Sequence, residues 1–294
     1  MNETHNSIVD QRTEKLLDQM VRGLHALISS VAGHAIPSGS PHLSDAHVLA
    51  VKVLKHVVTA RHLMRTDMRV IDDTYPFVDH ASVSVLARTA IEGCLALHYT
   101  FCHPDAETRA FRHKTWRYSG LLERSKITVP TGTQKERWTS AIKRMAQLRA
   151  ELTAHQNFQA LPRKIQKNVL DGNWRPQAPW IDIAEGIGIS RRLFHQQYDH
   201  FCGQCHSSFI SVLQTRDAMN DHGAQAQLAL MPSAFLAIIL AHTIDAYRHV
   251  LPPAQAAFEA DAKIKEWVQR VHRVAAALGA LLDQQAHEDT EEAT

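Results

Sequence analysis

The residues with the most reactive side chains gather in one stretch, residues 198–206. Within it, Cys202-Gly-Gln-Cys205-His206 fits two known patterns. Cys-x-x-Cys-His is the attachment site of c-type haem, and Cys-Gly-x-Cys resembles the redox pair of thioredoxin-like proteins. Haem attachment takes place outside the cytoplasm and needs an export signal, whereas the redox pair needs a strand before it and a helix after it. The surrounding elements therefore decide between these chemistries.

The surroundings favour neither chemistry. The N-terminal residues are polar and have no hydrophobic signal core, so we expect no export signal. The stretch falls inside a predicted helix over 190–215, with no predicted strand before it. Six residues share one stripe of that helix, namely Phe194, Tyr198, Phe201, Cys205, Phe209 and Val212. Such a stripe favours small, buried thiols, and we predict no haem, no metal and no other cofactor. A zinc site that combines Cys202 and Cys205 with distant histidines remains an alternative, although a second spaced pair of ligands is missing.

The composition is that of an ordinary folded chain with little net charge. It has 294 residues, 45% of them hydrophobic, and 32 Lys and Arg against 30 Asp and Glu give a formal net charge of +2. This balance argues against a dedicated nucleic-acid scaffold but allows a local basic patch. The four cysteines lie in apolar helical surroundings, which fits reduced thiols. The most apolar window, 235–240, is too short to cross a membrane, so we expect a cytoplasmic protein with no membrane partner.

Apolar positions recur at helical spacing along most of the chain. They predict helices over about 7–32, 45–63, 80–102, 105–126, 134–158, 190–215, 231–250 and 254–285. Breaks are predicted at 72–76 and 129–132, and the Gly- and Pro-punctuated segment 161–188 predicts a loop with a short helix near 181–185. No segment alternates as a strand does. We therefore predict an all-α fold, a single bundle-like domain of about seven to nine helices.

The predicted single domain, 1–294, has four parts. An N-terminal helix and loop occupy 1–40, the core occupies 45–250, and a C-terminal helix occupies 254–285. The acidic residues of 288–294 predict a disordered tail.

One pair of opposite charges lies on the predicted third helix. Arg88 and Glu92 are four residues apart, on the flank of an otherwise apolar helix. Arg before Glu is the weaker orientation of such a pair, worth only about 0.2–0.5 kcal/mol. A partly buried ion pair needs further partners to offset its desolvation. We therefore expect a structural or functional partner for Arg88 across the bundle.

The same pair carries a resemblance to a known family. The segment Leu-Ala-Arg-Thr-Ala-Ile-Glu, which ends in Glu92 and contains Arg88, resembles the hydrophobic-x-Arg-x-x-x-Glu helix of a bacterial domain-of-unknown-function family, number 5677. Further along the chain that family has a Trp-containing segment and then a short helix. Here Trp174 precedes the segment 180–185. The resemblance covers roughly residues 45–250.

The family's last motif is Tyr-x-x-Leu-Ser-x-x-x-His, and the opening stretch is similar to it. Tyr198 and His206 match in type and spacing, Phe201 replaces Leu, and Cys202 stands where Ser is usual. The resemblance implies an all-α fold related to HEPN domains, which are small helical RNA-cleaving domains. Proteins of this kind are found in anti-phage defence or toxin-like loci, which is an association and not a mechanism.

The resemblance further implies that Arg88, Glu92, Tyr198 and His206 act together. The leading hypothesis is an RNA-targeting effector; if the protein is an enzyme, we expect it to cleave RNA without a metal. His206 would be the general base or acid, Arg88 would stabilise the phosphate, Glu92 would orient Arg88, and Tyr198 would hold the substrate or the histidine. Analogy with HEPN domains adds a homodimer or a partner protein. The alternative is a non-catalytic sensor or interaction module, in which the same residues form a buried structural network.

The HEPN signature Arg-x(4–6)-His also fits two other spans. They are Arg149 with His155 and Arg216 with His222. In a chain with 20 histidines such spans arise by chance, so they carry no weight by themselves.

Overall fold

A computed structural model of the chain describes residues 2–37, 39–69, 76–127 and 132–292. Its regular structure in those residues is helical apart from one antiparallel pair of two-residue strands, β1 (Met68–Arg69) and β2 (Pro76–Phe77). The all-α prediction is confirmed. The predicted breaks at 72–76 and 129–132 lie outside the described residues except for their last positions.

Fourteen helices occur in the described part of the chain, so the predicted number of seven to nine is too low. They are α1 Asn2–Val31, α2 Pro41–Leu63, α3 His80–Phe101, α4 Ala106–Ser125, α5 Thr133–Thr153, α6 Gln156–Gln159, α7 Arg163–Leu170, α8 Trp180–Gly186, α9 Arg191–Cys205, α10 Phe209–Ala218, α11 His222–Leu230, α12 Pro232–Val250, α13 Pro252–Ala260 and α14 Ala262–Glu292.

The number of helices was predicted too low mainly because three of the predicted helices are each divided into two in the structure. The segment 134–158 breaks at His155, whose Nδ1 accepts a hydrogen bond from the backbone N–H of Asn157. The segment 190–215 breaks at 206–208, where Ser207 has a φ of 48°. The segment 254–285 breaks at Asp261, whose carboxylate accepts from the N–H groups of the next helix. Side chains that accept backbone N–H bonds start a new helix rather than continue the old one.

The chain divides into two compact units. The first contains Met1–Leu97 together with Ala184–Thr294, and the second contains His98–Ile183. The predicted single domain differs from this division, because 98–183 has a core of its own. The predicted disordered tail differs as well, since α14 continues to Glu292.

The first unit is built around α12. Fourteen of the 19 residues of α12 are buried, and it packs against α1, α2, α13 and α14. A helix that is apolar on all sides must be enclosed by others. On α3, a Cβ at Gly93 would lie 2.7 Å from Val53 Cγ2, so the glycine allows α3 to lie directly on α2.

The helical stretch His222–Val250 is long and apolar enough to cross a membrane by length and composition alone. It has 29 residues and a mean hydropathy of 1.7 in its most apolar window. The apolar window 235–240, which is too short by itself, is thus part of a longer apolar stretch that begins in α11. In the structure, 72% of that window is buried inside the protein. The central packing of α12 explains the same apolar composition.

The second unit is centred on α4 and α5, which pack against each other. Tyr118, Leu148 and Leu152 form its buried cluster. The Tyr118 hydroxyl donates to the backbone carbonyl of Leu170 at 2.9 Å, which attaches the end of α7 to this cluster.

Candidate functional site

The helix α3 places Arg88 and Glu92 at the edge of its buried face. Ala87, Ile91 and Cys94 on that face are fully buried, whereas the side chains of Arg88 and Glu92 are 23% and 35% exposed. Arg88 Nε donates to Glu92 Oε1 at 3.2 Å. The pair is therefore half-buried, as its flank position predicts, and Arg88 has room for partners from another helix.

The start of α3 is held by a buried amide. Gln225 Oε1 accepts from the backbone N–H of Val78 at 2.9 Å, and Gln225 Nε2 donates to the carbonyl of Ala218 at 3.0 Å. One side chain of α11 thus ties the entry of α3 to the end of α10. Buried amides of this kind fix relative positions because an unpaired one is costly.

The helix α9 supplies the other half of the site. Ser190 caps its first turn by accepting from the N–H of Leu193, and Phe194 and Phe201 are buried. The Tyr198 ring stacks on Phe194 with centroids 5.1 Å apart. Packing of the ring therefore fixes the direction of the Tyr198 hydroxyl.

All four predicted site residues meet. Tyr198 donates its hydroxyl hydrogen to Glu92 Oε1 at 2.6 Å, and the Arg88 guanidinium carbon lies 5.6 Å from the centre of the Tyr198 ring. An Arg88 Nη1–H bonds to His206 Nε2 at 3.0 Å. The partner expected for Arg88 across the bundle is thus present. The result is one chain of polar contacts from Tyr198 through Glu92 and Arg88 to His206.

The bond between Arg88 and His206 defines the state of the histidine. A guanidinium N–H can only donate, so Nε2 of His206 must accept. The imidazole in this arrangement is therefore neutral and carries its proton on Nδ1. His206 itself is exposed to solvent, so its ring nitrogen can exchange the Arg88 bond for one to a ligand.

Burial and hydrogen bonding perturb the site's titrating groups. Desolvation raises the pKa of Tyr198, and its hydrogen bond to Glu92 raises it further. Burial by itself lowers the pKa of Arg88, but hydrogen bonds to Cys205 and Tyr198 outweigh it, so the pKa is raised overall. At neutral pH Tyr198 is therefore a neutral donor, and Arg88 is a permanent cation.

Cys205 lies next to Arg88, a position that the sequence interpretation missed. Both Cys202 and Cys205 are free and half-buried, and Cys205 hydrogen-bonds to Arg88. Desolvation raises the pKa of Cys202 despite the nearby charge of Arg88. The spacing had already placed Tyr198 and Cys205 on one stripe of the helix, but that stripe was interpreted only as apolar packing.

The predicted apolar stripe does not continue through the end of α9. Phe201 is 1% exposed, but Phe209 and Val212 are 76% and 54% exposed. The break at 206–208 turns α10, so the predicted single helix over 190–215 was wrong. The same break places His206 at a helix end rather than within a helix.

Three residues of the two other Arg-x(4–6)-His spans make contacts outside the Arg88–His206 site. His222 bonds to Asp67 at 2.8 Å, and Arg216 bonds to its neighbour Asp217 at 2.8 Å. In the second unit, His155 caps α6. Among the described residues, no group of three or more His, Cys, Asp or Glu side chains could hold a metal ion.

The fold and the site define an all-helical protein with an Arg-Glu-Tyr-His polar chain at the edge of one unit. No protein-family model matches the sequence, and neither the curated proteins nor the solved structures give a significant match. The resemblance to family 5677 therefore rests on the quoted motifs alone.

Proposed function

We propose that the chain is a metal-independent ribonuclease, an RNA-targeting effector of the HEPN-like kind, with its site at Arg88 and His206. One observation carries this proposal. A solvent-exposed, neutral imidazole is bonded at 3.0 Å to a cationic guanidinium that is itself held by Glu92. A base beside a fixed cation is the minimum that cleavage of a phosphodiester at a neighbouring hydroxyl requires.

The proposed reaction needs only these groups and water. A non-bridging phosphate oxygen takes the Arg88 N–H bond that Nε2 of His206 now accepts, which frees the nitrogen to remove the proton from the ribose 2′-hydroxyl. The 2′-oxygen forms a bond to phosphorus while the bond from phosphorus to O5′ breaks. The products are a 2′,3′-cyclic phosphate and a 5′-hydroxyl, whose proton comes from water. Glu92 keeps the guanidinium in place, and Tyr198 keeps Glu92 in place.

The test is cleavage of a labelled single-stranded RNA in the presence of a chelator. We expect wild type to cleave it and His206→Ala to be slower by about 100-fold or more, which is the usual contribution of a general base. His195→Ala is the matched control, because His195 is an exposed histidine on α9 that pairs with Asp199 instead. We expect it to cleave like wild type. The ribonuclease proposal is refuted if wild type leaves the RNA intact. It is also refuted if His206→Ala and wild type cleave at equal rates when equal amounts of folded protein are compared.

A second candidate function is a non-catalytic sensor or interaction module. The observation that favours it is the double use of Glu92 Oε1, which accepts from both Tyr198 and Arg88 in a half-buried setting. Such a network serves stability on its own. This candidate is supported over the ribonuclease if wild type leaves the RNA intact and Arg88→Ala has a lower unfolding free energy than wild type.

A further inference from the structure

A groove in the first unit has the composition of a small-molecule site. It is lined by one face of α1, by Arg65 just after α2, and by Trp267 of α14. Its volume is about 370 Å³, which lies in the range of roughly 300–1,000 Å³ that is typical of ligand sites. None of its residues belongs to the Arg88–His206 site, so binding here is separate from the proposed RNA cleavage.

The charges that line the groove are only partly neutralised. The guanidinium of Arg61 hydrogen-bonds to Asp18, which lowers the pKa of that carboxyl, and Arg65 lies 2.8 Å from Glu14. These two pairs use both lining carboxylates. Lys15 and Arg22 also line the groove and have no ion-pair partner among the described residues.

Two cations on one face of a helix attract an anion where no carboxylate of the described residues pairs with them. Lys15 and Arg22 lie seven residues apart on α1, which is two helical turns, so both point toward the same side. A phosphate monoester, with a charge of about −1.5 to −2 near neutral pH, matches two such cations better than a carboxylate does.

The remaining lining residues suit a heteroaromatic ring with polar groups at its edge. Trp267 offers a large flat side chain on which a ring can stack. Gln11 and Gln19 place two amides in the same lining. A side-chain amide can both donate to and accept from the edge of a base.

We propose that this groove binds a nucleoside 5′-monophosphate. The phosphate lies against Lys15 and Arg22, the base stacks on Trp267, and the amides of Gln11 and Gln19 bond to the edge of the base. Each part of the ligand thus matches a separate feature of the groove, namely its two cations, its half-buried indole and its amides.

The experiment is calorimetric titration of the full chain with adenosine 5′-monophosphate and two fragments of its chemistry. We expect saturable binding of the nucleotide and dissociation constants at least tenfold higher for ribose 5-phosphate and for adenosine. These compounds lack the base and the phosphate, respectively. Absence of saturable binding of the nucleotide at millimolar concentration would overturn the proposal, and so would equal affinity for all three compounds.

Variants locate the site. We expect Lys15→Gln with Arg22→Gln, and separately Trp267→Leu, to raise the dissociation constant at least tenfold. Trp267→Phe keeps a ring and should stay within a few-fold of wild type, which separates loss of stacking from loss of folding. Lys263→Gln is the matched control, since Lys263 is an exposed lysine of α14 outside the groove. An equal effect of Lys263→Gln, or none from the double variant, places binding elsewhere and refutes the site.

Discussion

The position of His206 is set by the backbone of the residues around it. Ser207 has a φ of 48°, and the N–H of Ser208 donates to the carbonyl of Gly203 at 3.0 Å, which closes the end of α9. A Cβ at Gly203 would lie 2.9 Å from Ser208 Oγ, so the glycine permits this close return. His206 is thereby held at the helix end, exposed to solvent on one side and bonded to Arg88 on the other.

The left-handed conformation of Ser207 leads to a stability prediction. A residue with a Cβ pays about 1–2 kcal/mol for this conformation, whereas glycine adopts it without that cost. The greater freedom of glycine in the unfolded chain offsets part of the gain. We therefore expect Ser207→Gly to raise the unfolding free energy by about 0.5–1 kcal/mol, measured by chemical denaturation. Ser125→Gly, at the last residue of the helix α4, is the control and should not stabilise. A destabilised Ser207→Gly would contradict this account of the turn.

At the scale of elements, the site was more predictable than the helices that carry it. The i, i+4 spacing of Arg88 and Glu92 and the motif ending in His206 selected four residues that do meet. Apolar periodicity cannot show where a helix stops when the stop depends on a serine in a left-handed conformation. For that reason the predicted helix over 190–215 included the break at 206–208, where the structure has two helices.

The reorientation of α10 has a measurable consequence. Phe201 and Phe209 fall on one stripe of an unbroken helix, yet the first is buried and the second is mostly exposed. We expect Phe209→Ala to change the unfolding free energy by less than about 0.5 kcal/mol. Phe201→Ala should cost about 3–5 kcal/mol, because it leaves a cavity in the core. Similar costs for the two substitutions, by chemical denaturation, would mean that α10 continues the stripe of α9.

At the scale of the whole molecule, the all-α class follows from composition and period, but the division into two units does not. The segment 98–183 interrupts the first unit in sequence, so that unit joins residues far apart along the chain. Its central helix, α12, is enclosed by helices from both ends of the sequence. Pairings over such distances depend on tertiary packing, which local periodicity does not encode.

Two histidines of the first unit have lowered pKa values, which reduces stability in mild acid. Desolvation lowers the pKa of His56 on α2, with a smaller effect from Lys52, and desolvation likewise lowers the pKa of His200 on α9, with a smaller effect from His80. Each remains neutral in the folded chain at a pH where it binds a proton in the unfolded chain. The unfolded state therefore binds more protons as the pH falls through about 6.5, and stability must decrease there.

We expect the unfolding free energy to fall between about pH 7.5 and pH 5, ahead of the loss from carboxylates near pH 4. Each histidine can contribute a slope of at most about 1.4 kcal/mol per pH unit, so the two together bound the effect. Denaturation series at several pH values measure it. His56→Gln and His200→Gln should each make the dependence shallower, whereas His195→Gln, at an exposed position, should leave it unchanged. A flat profile over this range would contradict this account, because it would mean that the folded chain binds as many protons as the unfolded chain does.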